Sequence, residues 1–163
     1  MSELHLKPHG LKIVLIQPQI PPNTGHIARL CVATGAELHL VRPMGFVLSD
    51  KQLKRAAMDY WKRLKLTVHD DLEDFLKIVG EERVWLFENQ GPKSVWDARF
   101  HENDWLIFGN ETHGLPKSVT ERFTDRLIRI PQVQSERCLN LSSAAAMGMF
   151  EALRQLAFSH RSS

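Results

Sequence analysis

The stretch Leu11–Val41 constrains the fold more than any other part of this chain. Residues 11–17, LKIVLIQ, form an apolar run rich in Ile and Val, the composition of a buried strand. The turn-rich PQIPPN follows, and then a helical pattern with Ile27, Leu30 and Cys31 on one face, running to about Thr34. Asn23 or Thr24 stands where a cap is needed, Gly35 ends the helix, and Ala36–Val41 reads as the next strand. A strand, loop, helix and strand in that order mark a parallel sheet, because parallel strands need a crossover between them.

The rest of the chain continues the theme. Asp50 is a candidate cap for a basic segment that runs to Lys65 and carries Lys51, Lys54, Arg55, Lys62 and Arg63, with Tyr60 and Trp61 among them. A short strand includes Thr67–His69. Asp70 or Asp71 then caps a helix to about Val79, with Leu72, Phe75, Leu76 and Val79 at helical spacing. RVWLFE (83–88) and DWLIFG (104–109) read as strands, Ser94–Arg99 is ambiguous, and a short helix is expected near Lys117–Phe123. Leu127–Ile130, ending at Pro131, is the last strand. Gln132–Leu141 is a polar loop, and Ser142 or Ser143 is placed to cap a terminal helix that opens on Ala, Ala, Ala, Met, Gly, Met. Small residues there let a backbone or a ligand come close.

Three polar loops thus follow three apolar strands: QPQIPPNTG, GNETHGLP and QVQSERCLN. In a parallel sheet all three gather at the carboxyl edge, where α/β proteins bind ligands. No glycine-rich dinucleotide fingerprint or phosphate loop is present. A length of 163 residues, 43% hydrophobic and 25% charged, suits one domain spanning 1–163 with a substantial core. No run of about 18 apolar residues suggests a membrane span, and MSELHLKPHG lacks an apolar signal core. Cys31 and Cys138 are in no metal spacing, so a reduced, cytoplasmic protein without a metal is expected. A formal net charge of +2 permits an anionic partner without demanding one.

Taken together, PPNTGHIARLC, FGNETHGLP and IRIPQ…RCLNLSSAAA resemble, in order, the three motifs of the SPOUT-class (SpoU-type) RNA 2′-O-ribose methyltransferases. The resemblance spans roughly residues 11–155. With the RPMGF turn and RAAMDYW, it is closest to the branch that modifies the wobble nucleotide, C or modified U, of leucine tRNAs. It implies S-adenosylmethionine as methyl donor, tRNA as partner, a homodimer, and an α/β domain whose mainly parallel sheet is flanked by helices and whose carboxyl end forms a deep trefoil knot. Topology rules alone argue against such threading.

The resemblance also implies roles. Arg29 corresponds to the family's essential arginine, serving the donor pocket of the other subunit, and Asn23 to the asparagine that orients it. A helix cap is an equally good reading of Asn23. Glu111 corresponds to the acidic residue of the second motif, and Asn140 and Ser142 to third-motif positions near the active centre. Phe87, Gly109, Ile130 and Leu139 correspond to residues that cradle the donor, largely through backbone groups. Cys138 falls where many relatives have serine, which replaces a good hydrogen-bond donor by a poor one and leaves its backbone for the donor. His26 and His113 read as solvent-facing or as the substrate rim. The basic segment with its two aromatic residues suits phosphates and unstacked bases, and reads otherwise as a solvated face with Tyr60 and Trp61 as anchors. Two rivals stand beside wobble methylation. One is methylation at another tRNA position or in rRNA, and the other is an RNA-binding protein of the same fold that has lost catalysis.

Overall fold

The computed structural model describes residues 5–80 and 82–161, and the side chains of residues 158–161 are not described. Of MSELHLKPHG, residues 1–4 lie outside that range. Within it, His9 is buried and fixed, its Nε2 lying 2.7 Å from the Thr34 carbonyl oxygen and its Nδ1 accepting from the Leu11 amide at 3.0 Å.

Seven strands, β1 (Lys12–Ile16), β2 (Glu37–Val41), β3 (Leu66–His69), β4 (Val84–Phe87), β5 (Lys93–Ser94), β6 (Trp105–Phe108) and β7 (Leu127–Arg129), form one sheet in the order β3-β2-β1-β6-β4-β7-β5. Every pairing between them is parallel. The parallel sheet expected from the first crossover is therefore present. The ambiguous stretch after Lys93 supplies the edge strand β5, and β7 enters between β4 and β5, both earlier in the chain.

Alternate side chains of the strands divide the core in two. Ile13, Leu15, Leu38, Leu40, Leu106 and Phe108 face one layer, with Ile27, Ala28 and Cys31 of helix α1 (Pro21–Thr34) and Ala145, Met149 and Ala152 of helix α5 (Leu141–Arg161). Helix α2 (Lys51–Ala57) joins that layer through Ala57 and lies close against α1: a Cβ on Gly25 would stand 2.5 Å from that of Ala56. Val14, Ile16, Val41 and Ile107 face the other layer, with Phe75 of α3 (Leu72–Val79) and Val119 of α4 (Lys117–Arg122).

Two expected caps hold and two do not. Asp50 accepts from the Gln52 and Leu53 amides, and Asp71 from that of Asp74. Helix α1, however, starts at Pro21 after Ile20, with no side-chain cap, so neither Asn23 nor Thr24 is its cap. Prolines at the first two positions carry no N–H to satisfy, which lets the helix start earlier than a polar cap would place it. Helix α5 starts at Leu141, and its cap is Asn140, not Ser142 or Ser143: Asn140 Oδ1 accepts from the Ser142 amide at 2.9 Å and the Ser143 amide at 3.3 Å. Its apolar residues divide between two sides. Leu153 and Leu156 join the core, while Met147 and Phe150 remain 46% and 55% exposed.

Candidate active site

Four loops meet at the carboxyl edge of the sheet and enclose a cavity of about 450 Å³. Phe87 and Phe108, at the ends of β4 and β6, stack with ring centroids 4.4 Å apart and line it on the apolar side. Helix α5 leaves room for Phe87 at Gly148, where a Cβ would come 2.6 Å from the ring. The loop after β6 doubles back tightly. Asn110 and Gly114 exchange backbone hydrogen bonds of 3.2 and 3.1 Å, and Asn110 Oδ1 accepts from the Thr112 and His113 amides at 3.0 and 2.6 Å. Gly109 is required by this turn: a Cβ there would stand 2.0 Å from the Gly114 carbonyl carbon. Ile130, Gln132 and Cys138–Leu141 close the cavity from the loop before α5, and Ile20 and Asn23 from the loop before α1.

Side chains of short reach brace these loops to one another. The Glu111 carboxylate accepts from the Gln19 amide at 3.1 Å with each oxygen, and from the Ile20 amide at 2.6 Å. It therefore ties the second loop to the start of α1, where negative charge is also favoured by the helix dipole. Asn140 Nδ2 donates to Asn23 Oδ1 at 3.0 Å, which ties the third loop to the first. Ser142 Oγ donates to Asn140 Oδ1 at 2.6 Å and so holds that amide in place.

The expected donor residues Phe87, Gly109, Ile130, Cys138 and Leu139 all line this cavity, as do Asn23, Glu111 and Asn140. Ser142 stands behind Asn140 and is not among the lining residues. Arg29 does not line it either. It opens into a separate hollow of about 270 Å³ with His26, Leu30, Ala33 and Tyr60. The physical reason is helical geometry: six residues beyond Asn23 lies about 9 Å further along the axis and far round it. Lys51, Lys54, Arg55, Lys62 and Arg63 are all exposed, on α2 and the 3₁₀ turn Met58–Arg63 behind it. Trp61 packs against the core, whereas Tyr60 lies beneath the Arg29 and Arg63 guanidinium groups. Exposed His113 borders the cavity and exposed His26 the hollow, both at a rim.

The loop after β4 contributes two lining residues beyond those expected, Glu88 and Asn89. Asn89 Nδ2 is in contact with Cys138 Sγ, and Glu88 Oε1 accepts from the Asn89 amide at 3.1 Å. The signal for them was present: β4 is a parallel strand like β1, β6 and β7, so its following loop belongs at the same edge. Of the cysteines, burial pushes the Cys31 thiol far up, away from thiolate chemistry, while Cys138 is exposed at the cavity. No group of three or more His, Cys, Asp or Glu side chains among the described residues could hold a metal ion. No helix among them is long and apolar enough to cross a membrane.

A parallel α/β sheet with a partly apolar cavity at its carboxyl edge, closed by the loop before its last helix, defines a small-molecule-binding enzyme fold. The sequence pattern of the SpoU rRNA Methylase family matches residues 10–150, and the chain belongs to that family. It is 44% identical over 147 residues to the tRNA (cytidine(34)-2′-O)-methyltransferase of Saccharophagus degradans, which covers 90% of this chain and 96% of that protein. The Escherichia coli K12 protein of the same name is 42% identical over 149 residues, 91% of this chain and 95% of its own. A solved structure concerned with the 2-OH methylation of C/U34 on tRNA matches with a TM-score of 0.89 at 44% identity, covering 93% of this chain and 99% of its own. An AdoMet-bound rRNA methyltransferase from Sinorhizobium meliloti, 27% identical, matches with a TM-score of 0.82 over 94% of this chain and 59% of its own.

Proposed function

We propose that this chain is a tRNA methyltransferase that modifies the ribose 2′-hydroxyl of nucleotide 34, a cytidine or a modified uridine, with leucine tRNAs as substrates and S-adenosylmethionine as donor. The observation that carries this reading is kinship along nearly the whole length of both chains with proteins named for that reaction. The cavity fits the donor on its own terms. Its volume of about 450 Å³ lies within the range of small-molecule sites, its stacked Phe87 and Phe108 rings suit a heteroaromatic base, and its loops offer backbone groups. Phe87, Gly109, Ile130, Cys138 and Leu139 would hold the donor, which supplies an electrophilic methyl group on a sulfonium. No step in the transfer calls for a metal.

What this chain adds is orientation. Asn140, held by Ser142, fixes Asn23, and Glu111 fixes the backbone just before it. Arg29 is assigned to the substrate, where its forked guanidinium donates to a phosphate or to the reacting hydroxyl. Because Arg29 faces away from the cavity of its own chain, we assign it to the cavity of a second copy in a homodimer. Exposed Met147 and Phe150 on α5 support a face that a second copy covers. The exposed cations of α2 and the following turn supply the tRNA surface. A deep trefoil knot at the carboxyl end is part of the same proposal, supported by the entry of β7 between two earlier strands. So are a single domain over 1–163 and a cytoplasmic location, where charged tRNA is found.

The test is mass mapping of tRNA incubated with the purified protein and S-adenosylmethionine. A ribose methyl group at nucleotide 34 is expected. Methylation only at other nucleotides or only in rRNA overturns the substrate assignment, and tRNA binding without donor binding overturns catalysis altogether.

A further inference from the structure

The hollow around Arg29 is built by two elements. His26, Arg29, Leu30 and Ala33 come from one side of α1, and Tyr60 comes from the 3₁₀ turn Met58–Arg63 that packs against it. Two guanidinium groups share the one aromatic ring: Arg29 lies 5.5 Å and Arg63 4.9 Å from the Tyr60 centroid. Arg63 also faces the Asp59 carboxylate at 3.9 Å. Arg29 is half-buried, and among the described residues its guanidinium has no hydrogen-bond acceptor and no ion-pair partner, while it lies over the Tyr60 ring.

A guanidinium carries five N–H donors in a fixed plane, and partial burial strips water from them without replacement. The ring fixes the plane and leaves the N–H edge unused, since cation–π contact engages the face of the group. Two cations over one ring also repel each other, and Asp59 neutralises one of them only. The hollow therefore calls for an anion that presents a fork of two acceptor oxygens, as the non-bridging oxygens of a phosphate do. Lys51, Lys54 and Arg55 lie exposed on α2, and Lys62 on the 3₁₀ turn that follows it and carries Tyr60, so the phosphate that fits is one in a polyanion that tracks along them.

We propose that this hollow takes a phosphodiester of the RNA substrate, and that Tyr60 is the positioning residue that holds the Arg29 fork toward it. The proposal rests on the reading of Arg29 as a substrate-side residue. It gives Tyr60 a role distinct from stacking on a base or anchoring the segment, and it makes the ring face, not the hydroxyl, the working part. The remaining basic residues then supply a sequence-independent grip, while the hollow sets the register of the strand.

Three variants test it: Tyr60→Phe, Tyr60→Leu and Arg29→Ala. Each is titrated with an anticodon stem-loop RNA over a range of salt, with melting and donor calorimetry as controls. Tyr60→Phe is expected to bind RNA within about twofold of the parent protein, because the ring is kept. Tyr60→Leu is expected to lose about tenfold in RNA affinity and roughly one unit of the log–log salt slope, with donor affinity unchanged. In the Arg29→Ala background the same leucine substitution is expected to cost nothing further. A Tyr60→Leu protein with parental affinity and slope overturns the proposal, as does an equal cost in both backgrounds or an Arg29→Ala protein with unchanged RNA binding. Should Tyr60→Leu fail to fold, phenylglyoxal labelling of Arg29 in the unmodified protein decides: protection by the RNA is expected, and equal labelling with and without RNA overturns it. These readouts are binding measurements, so a protein that passes them and methylates no tRNA refutes the proposed activity and leaves the Tyr60 assignment standing.

Discussion

Replacing Glu111 separates a brace from a catalyst. Its carboxylate takes the Gln19 amide at 3.1 Å and the Ile20 amide at 2.6 Å, and Ile20 immediately precedes the two prolines that open α1. Hydrogen bonds to a charged group contribute about 1.5–3 kcal/mol each when buried. Glu111 is half-exposed and the Ile20 bond faces solvent, so the lower end applies, roughly 2–3 kcal/mol for Glu111→Ala. For a chain of this size each kcal/mol is about 2–4 °C, which gives a fall in Tm of roughly 5–10 °C. Glu111→Gln keeps one acceptor and turns an amide toward the two donors, and is expected to cost about half as much. Thermal denaturation measures both variants. Turnover well below the lower midpoint should fall no more than about tenfold for the glutamine variant, with the shape of its pH profile unchanged. An unaltered Tm with a thousandfold loss of turnover would refute the reasoning and give Glu111 a proton-transfer role.

Gly148→Ala sets two effects against each other: alanine favours the helix by about 1 kcal/mol, while its Cβ stands 2.6 Å from the Phe87 ring. The ring borders the cavity and can move into it, so stability is expected to stay within about 1 kcal/mol while donor affinity drops at least tenfold, by calorimetry; unchanged affinity would place the donor elsewhere. Burial holds both the His39 and the His69 ring below the ordinary imidazole value of 6.5, and the two meet at 2.9 Å between His39 Nδ1 and His69 Nε2. The unfolded chain then binds more protons, so stability is full above about pH 6.5 and falls as the pH drops below it. Tm measured from pH 8 to 5 should show that fall, and the double variant His39→Leu, His69→Leu should flatten it; a fall of equal size in the variant would acquit the pair.

Legibility from sequence followed periodicity and failed where several local choices were open. The runs of β1, β4 and β6 stand out because parallel strands buried on both faces are apolar throughout, and once they are parallel their loops must share an edge. Phe87, Gly109, Ile130, Cys138 and Leu139 come together for that reason. The start of α5 was harder: Asn140, Ser142 and Ser143 are all good caps within four residues, and the loop that brings Asn140 against Asn23 selects one. At α1 the polar pair Asn23–Thr24 masked the two prolines that set the true start. Glu88 and Asn89 were missed because FENQG carries no motif, although the parallel-strand rule applies to it equally. That Tyr60 faces arginines while Trp61 faces the core is invisible to spacing, since a 3₁₀ turn separates neighbours by about 120° and either could have pointed inward.

Which side chains remain free for chemistry follows from counting bonds. Asn140 Oδ1 already takes two amides and the Ser142 hydroxyl, and its Nδ2 gives a proton to Asn23. Ser142 spends its hydroxyl proton on Asn140, and Glu111 spends both oxygens on backbone amides. A group committed in this way cannot shuttle a proton without releasing the loop that it holds. Three of the five residues that the motifs would class together as catalytic are therefore frame. Asn23 keeps its Nδ2 and Arg29 its whole fork, since no acceptor for either is found among the described residues. Arg29 is a donor only and the side-chain amide of Asn23 is no base, so neither can take the proton of a ribose hydroxyl. The frame holds donors around a place where negative charge arrives, and the proton must leave to an acceptor that comes with the substrate or the solvent. On the proposed reading an RNA phosphate held by Arg29 is such an acceptor, which makes the geometry of the Tyr60 hollow a condition for the reaction in the cavity of the second copy, to which Arg29 is assigned.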